Sequence, residues 1–203
     1  RQNVVALVEN HPITAAELRY WMLLEKANVY SYFYRKYKVE DSDDFWTTKL
    51  GNEIPLERLK ETALEKVKRC KVQQILALRK GIIHTAGFDE IVHALDSVNK
   101  ERMKMIEIGE PVYGPRQFTT RTYFSHVFDK MVIDLKSELA KDELTFEDQQ
   151  PAMNGAAIQD SNINVGALNM FLADKRYEQY IDSLANWSVI DVNDKVYGDI
   201  SLE

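Results

Sequence analysis

The residue types that most often carry catalysis or hold metals are sparse in this chain. Its four histidines are His11, His84, His93 and His126. A helical zinc site needs two imidazoles one turn apart, at i and i+4, so that both can reach one ion. No pair here has that spacing, and no H-E-x-x-H occurs. Cys70 is the only cysteine, which excludes an intrachain disulfide and a cysteine-based zinc site. It continues an apolar helical stripe with Leu59, Ala63 and Val67, and reads as a packed small hydrophobe. There is no G-x-S-x-G, P-loop or G-x-G-x-x-G. The acidic pairs Asp43-Asp44 and Glu147-Asp148 lie in polar, loop-like stretches and read as solvated or capping charges. The sequence therefore assigns no catalytic residue, no metal and no cofactor.

Two other constellations could bind something. Lys66, Lys68, Arg69 and Lys71, in "KVKRCK", could meet an anion. Glu57, Glu61 and Glu65 balance them at helical spacing, so the run reads as a solvated helix face. The second constellation is aromatic. Tyr20, Trp21, Tyr30, Tyr32, Phe33, Tyr34, Tyr37, Phe45 and Trp46 crowd one short region. Tyr32, Phe33 and Tyr34 are adjacent, so on a helix they cannot all face one core. One reading packs the following loop onto the helix that bears them. The other is an apolar groove with polar tips, suited to unfolded polypeptide because non-directional contacts tolerate many sequences. The candidate peptide-binding residues are Trp21, Phe33, Tyr34, Tyr37, Phe45 and Trp46, with Tyr113, Phe118 and Tyr123 from a later segment.

The elements that would position these residues follow from periodicity and punctuation. Val4–Val8 reads as a short apolar strand, broken by Asn10, His11 and Pro12. Thr14 to Glu17 is a T-x-x-E capping box, with Ile13 and Leu18 at staple positions. The pattern predicts helix 1 from Ala15 to Tyr37 and a polar link carrying Phe45 and Trp46. Helix 2 should run from Pro55 to Lys80, where Gly81 stops it. Helix 3 is expected over Phe88 to Ile108 and helix 4 over Thr120 to Lys141. A last helix is expected over Leu168 to Asn186. The stretch at about 147–167 is rich in Asn, Gln, Ala and Gly and reads as a loop or a vestigial insertion point. Residues 189–197 are the other β-prone segment. They predict a small hairpin turned at Asn193-Asp194, to which Val4–Val8 adds. The expected fold is mainly α with a small β-sheet, a single domain over residues 1–203 closed by its first and last strands.

Composition narrows the class. The chain has 203 residues, 45% of them hydrophobic and 29% charged, with a net charge of −6. That length and apolar content suffice for a real core. The negative balance argues against a nucleic-acid partner, which calls for a basic face. No apolar run approaches the roughly 18 residues of a membrane span. The chain opens at Arg1, and a removed N-terminal segment carrying a targeting or anchoring signal is expected.

These residues resemble a known family. "VVALV", a turn, then "IT" and "EL" opening a long helix is similar to the N-terminal chaperone domain of SurA/PrsA-type foldases. Here those elements are Val4–Val8, Ile13-Thr14 and Glu17-Leu18. The later "RYEQYIDSLANWSVIDVND" resembles the helix and strand that close the same domain, through Tyr177, Tyr180, Ile181, Leu184 and Val189 to Asn193. The likeness covers both ends and the helical body. Two departures stand out. Asn10-His11-Pro12 replaces the family's Asn-Gly turn. Between the helical body and the closing helix, such foldases often carry a parvulin prolyl isomerase domain of roughly a hundred residues. The stretch in that place here is too short for it. The resemblance implies a non-catalytic, extracytoplasmic chaperone-like domain that binds unfolded or nascent exported polypeptides and is open to membrane anchoring and to homodimerisation by strand exchange. Prolyl cis-trans isomerase activity and a dimerising scaffold are the alternative readings.

Overall fold

The computed structural model describes residues 3–40, 42–147 and 165–202. Side chains are described except over 141–147 and 165–172. The order is β1 (Val4–Val8), β2 (His11–Thr14), α1 (Ala15–Tyr37), α2 (Pro55–Arg79), α3 (Phe88–Glu107), α4 (Thr120–Glu147), α5 (Val165–Trp187), β3 (Ile190–Val192) and α6 (Asp194–Gly198). The fold is mainly helical with a small antiparallel sheet, as expected. Most of the anticipated Asn/Gly/Ala-rich link, residues 148–164, lies outside the described residues; 142–147 and 165–167 are helical. Among the described residues no helix is long and apolar enough to cross a membrane.

β1 is the middle strand of the order β2-β1-β3. Val8 faces His11 on one side and Ile190 on the other. The pairing of Val4–Val8 with the later β-prone segment is therefore as read from the sequence, but two details differ. The stretch taken as a break contains β2. Glu9 and Asn10 adopt φ of 48° and 68°, the signs a two-residue type I′ hairpin demands at both central positions. No glycine supplies them. Pro12 is tolerated because β2 is an edge strand, where one missing donor faces outward. The second difference is that Asp194–Gly198 is a helix rather than the return arm of a hairpin. Asn193 Oδ1 accepts from Val196 N–H at 3.2 Å, capping that turn before a strand can form.

The sheet's inner side chains, Val5, Val8 and Ile13, are buried with Leu18, Met22 and Phe33 of α1 and Leu59, Ala63 and Val67 of α2. α2 is the axis of the molecule. Over Cys70–Ile75 it is buried all round, because α1 and the sheet cover one side and α4 and α5 the other. α3 and the start of α4 form an arm on this body. Phe88 and Leu95 are the only buried residues of α3.

β2 is tested by Ile13→Ala. Its side chain is fully buried, so truncation should cost about 2–5 kcal/mol. Urea unfolding checks this. A cost below 1 kcal/mol would mean that the hairpin does not hold Ile13 in the core.

Candidate functional site

The nine aromatic candidates are not brought together. They divide into three groups. The first lies at the end of α1. Phe33 is fully buried, stacked on Tyr37 at 5.7 Å and edge-on to Phe45 at 6.1 Å. Phe45 is also buried and packs on Trp46 at 5.0 Å. Lys26 stands over the Trp46 ring. The link 38–54 thus folds onto α1. The polar tips are engaged as well. Tyr32 and Tyr37 both donate to the Glu53 carboxylate, at 3.0 and 2.9 Å, and Lys36 pairs with it. The Lys36 ammonium holds the Glu53 carboxyl below the usual carboxylate range. Gly51, at φ 62°, makes the turn that delivers Glu53. A Cβ there would meet the Tyr37 hydroxyl at 2.8 Å. Of this group only Tyr34 stands well exposed, at 48%.

The second group surrounds Trp21. Its ring meets Tyr20 and Phe124 edge-on, and Tyr20 and Phe124 also pack on Phe88. Trp21 and Tyr34 are thirteen residues apart on one helix, roughly 20 Å. Trp21 therefore packs at the root of the arm and against the main core, one helix length away from the Tyr34 end of α1. The third group lies at the arm's tip. Phe118 packs on Tyr123 at 5.7 Å, under the Arg102 guanidinium. Asn99 bonds both the N–H and the carbonyl of Phe118, at 2.8 and 2.9 Å. Arg102 donates to the carbonyls of Tyr113 and Pro115. The α3–α4 link is thereby pinned to α3, with Tyr113 projecting into solvent at 88% exposure and Ile108 at 72%.

Sequence reading missed a charged pair. Lys71, grouped with a solvated face, is fully buried, and so is Glu17. Thr14 caps α1 as expected, its hydroxyl accepting from Glu17 N–H at 3.2 Å. The Glu17 carboxylate, however, turns inward to Lys71, whose Nζ lies 2.9 Å from Oε1. Apart from this ion pair, neither carboxylate oxygen has a hydrogen-bond partner. Lys71 also donates to Ala86 O at 2.8 Å. Burial pushes the Glu17 carboxyl up to about 7, more than the nearby ammonium can offset. The available signal was spacing. Lys71 lies four residues after Val67, on the buried stripe.

Among the described residues no group of three or more His, Cys, Asp or Glu could hold a metal ion. Cys70 is buried beside Phe88 and Phe124 as a small hydrophobe. No family model, curated protein or solved structure matches this chain.

Two measurements check these assignments. Phe45→Ala should destabilise by about 3–5 kcal/mol, while Tyr34→Ala should change stability by less than about 1 kcal/mol; equal effects in urea unfolding would contradict the division into core and surface. The second concerns pH. Folded Glu17 keeps its proton to about pH 7, against the ordinary 4.5. Between those values the folded state binds more protons than the unfolded one. Glu17's contribution to stability is thus fully present below 4.5 and lost as pH rises through 7, by up to about 3 kcal/mol. Stability curves from pH 5 to 8 should fall for the wild type and lack this fall in Glu17→Gln.

Proposed function

We propose that this chain is a non-catalytic chaperone-like domain that binds unfolded polypeptide outside the cytoplasm, in the manner of the SurA/PrsA-type foldases it resembles. The architecture supports the reading, with a helical body closed by a sheet of first and last strands. The observation that carries it is the tip of the α3–α4 arm. Ile108 and Tyr113 are large apolar side chains in solvent, on a link that Asn99 and Arg102 fix in place. Preset apolar contacts limit the ordering cost of binding on the domain's side. Leu23 and Tyr34 on the outer face of α1 add further exposed apolar surface. The groove expected from helix 1, the Phe45–Trp46 loop and the Tyr113–Tyr123 segment thus contracts to Tyr34 and the tip, since Phe33 and Phe45 are core.

Such contacts give weak affinity. A micromolar dissociation constant corresponds to roughly −8 kcal/mol, and an unfolded client must also be ordered on docking. The net charge of −6 favours clients with basic residues, through a contribution that salt screens.

A second reading, a dimerising scaffold, draws on the outer edge of β3. Among the described residues that edge has no strand partner, and Trp187 and Val189 beside it are 85% and 78% exposed. Suppression of client aggregation separates the two, because a scaffold has no such activity. The paired substitution Ile108→Ser and Tyr113→Ser should leave the melting temperature unchanged and weaken suppression several-fold. Undiminished suppression by that variant would move the client site off the tip. Absence of suppression by the wild type would overturn the chaperone reading.

A further inference from the structure

The two edges of the sheet are not alike. Val8 and His11 flank the turn of the β1–β2 hairpin and form a hydrogen-bonded pair, as do Ala6 and Ile13. Pro12 and Thr14 therefore face away from β1. Pro12 has no N–H to offer, and Thr14 is already the N-cap of α1. That edge is closed. On the other side Asn193 N–H donates to Val5 O at 2.8 Å. The register then makes Leu7 and Asp191 the next hydrogen-bonded pair. Ile190 and Val192 turn their N–H and C=O groups outward, and among the described residues no strand meets them.

The side chains along this open edge select a partner. Ile190 and Val192 pack against the core, so alternation puts Val189 and Asp191 on the opposite face. Val189 is exposed there, with Trp187 of α5 just before it. Asp191 is exposed at the centre of the strand, and Asp194 just beyond it. The neighbouring Glu9 is already held by Arg79 and Ser188. Edges that must stay unpaired commonly carry Lys, Pro or a bulge, and β3 has none of these. Its one charge repels a second copy. A two-fold pairing through Ile190 and Val192 of both copies sets Asp191 against Asp191 of the second copy, at a non-hydrogen-bonded position where side chains come closest. Both copies also carry the net charge of −6. A strand with Lys or Arg at that position is attracted instead.

We propose that the outer edge of β3 takes up an extended polypeptide segment as a further antiparallel strand, with a Lys or Arg set against Asp191 and an apolar side chain two residues on, over Val189. Backbone bonds to Ile190 and Val192 hold a segment of any sequence, and the alternate side chains select the basic-apolar ones. That the segment belongs to an unfolded client rests on the client-binding reading. The edge itself is tested apart from it, with a peptide.

The probe is a short blocked peptide in which Thr alternates with Val, Lys and Val, added at about 1 mM and followed by amide exchange in NMR. The Ile190 and Val192 amides should exchange several-fold more slowly with the peptide present. Those of Asp191 and Asn193, which face β1, should not change. The same peptide with Glu for Lys, or N-methylated on the Thr residues, should give no protection. Asp191→Lys, a change at an exposed side chain, should reverse the preference from the Lys peptide to the Glu peptide. Absence of protection in the wild type, equal protection by the N-methylated peptide, or an unchanged preference in Asp191→Lys each overturns the proposal. Protection that needs no peptide and rises with protein concentration also overturns it, by giving the edge to a second copy. The variant with Ile108→Ser and Tyr113→Ser should keep the peptide protection. A wild type that suppresses aggregation without protection at β3 therefore sinks the edge and leaves the client reading standing. Protection without suppression keeps the edge as a peptide site and removes the client.

Discussion

Everything in this molecule leans on α2, and α2 is buried on more sides than an amphipathic helix can make apolar. A 25-residue helix with a single apolar stripe covers one neighbour. α2 has the sheet and α1 on one side and α4 and α5 on the other, so polar residues fall inside. Each needs an internal partner, because an unpaired buried polar group costs several kcal/mol on the order of a lost core side chain. Lys60 pairs with Glu57, donates to Gly198 O and lies over the Tyr197 ring. Gln73 accepts from Tyr177 of α5. Lys71 holds Ala86 and faces Glu17. The polar residues of the axis thus fix which neighbour sits where. The apolar stripe alone would allow the surrounding helices to slide.

The aromatic residues follow the same logic at the end of α1. Three adjacent aromatics cannot share one face, and the structure gives each a different destination. Phe33 goes to the core, Tyr32 to Glu53, and Tyr34 to solvent. A single carboxylate brought in by the Gly51 turn collects two phenols and an ammonium. Aromatic density here builds a joint between helix and loop. The exposed apolar side chains are spread elsewhere: Ile108 and Tyr113 at the tip of the arm, Leu23 on α1, Ile133 on α4, and Trp187 and Val189 beside β3.

The long elements were legible in the sequence because their signals are local. The Thr14 cap, Pro55 at the start of α2 and the apolar periods of α1 through α5 each lie within a few residues of what they determine. β1 and its distant partner were legible by elimination. β2 was not, since its turn places Glu9 and Asn10, not glycine, at positive φ and Pro12 within the strand. α6 was hidden by β-prone Val196 and Tyr197, whose preference yields to the Asn193 cap. The Glu17–Lys71 pair was unreadable for a different reason. Each residue has an adequate local explanation, as a cap and as one of a charged run, and only the packing of α1 on α2 sets them face to face.

The position of β1 between β2 and β3 carries a consequence for the order of assembly. The β1–β2 hairpin closes over two residues, and such closure takes microseconds. The β1–β3 pairing joins Val8 to Ile190 and must await nearly the whole chain. Contacts of such high sequence separation slow folding, because the intervening chain is ordered before they form. During synthesis the hairpin therefore emerges well before residues 190–192, and one of its edges is unsatisfied until they arrive. The same delay holds whenever Val4–Val8 is released ahead of residues 190–192. The sheet is complete only once Ile190–Val192 has joined the far edge of β1.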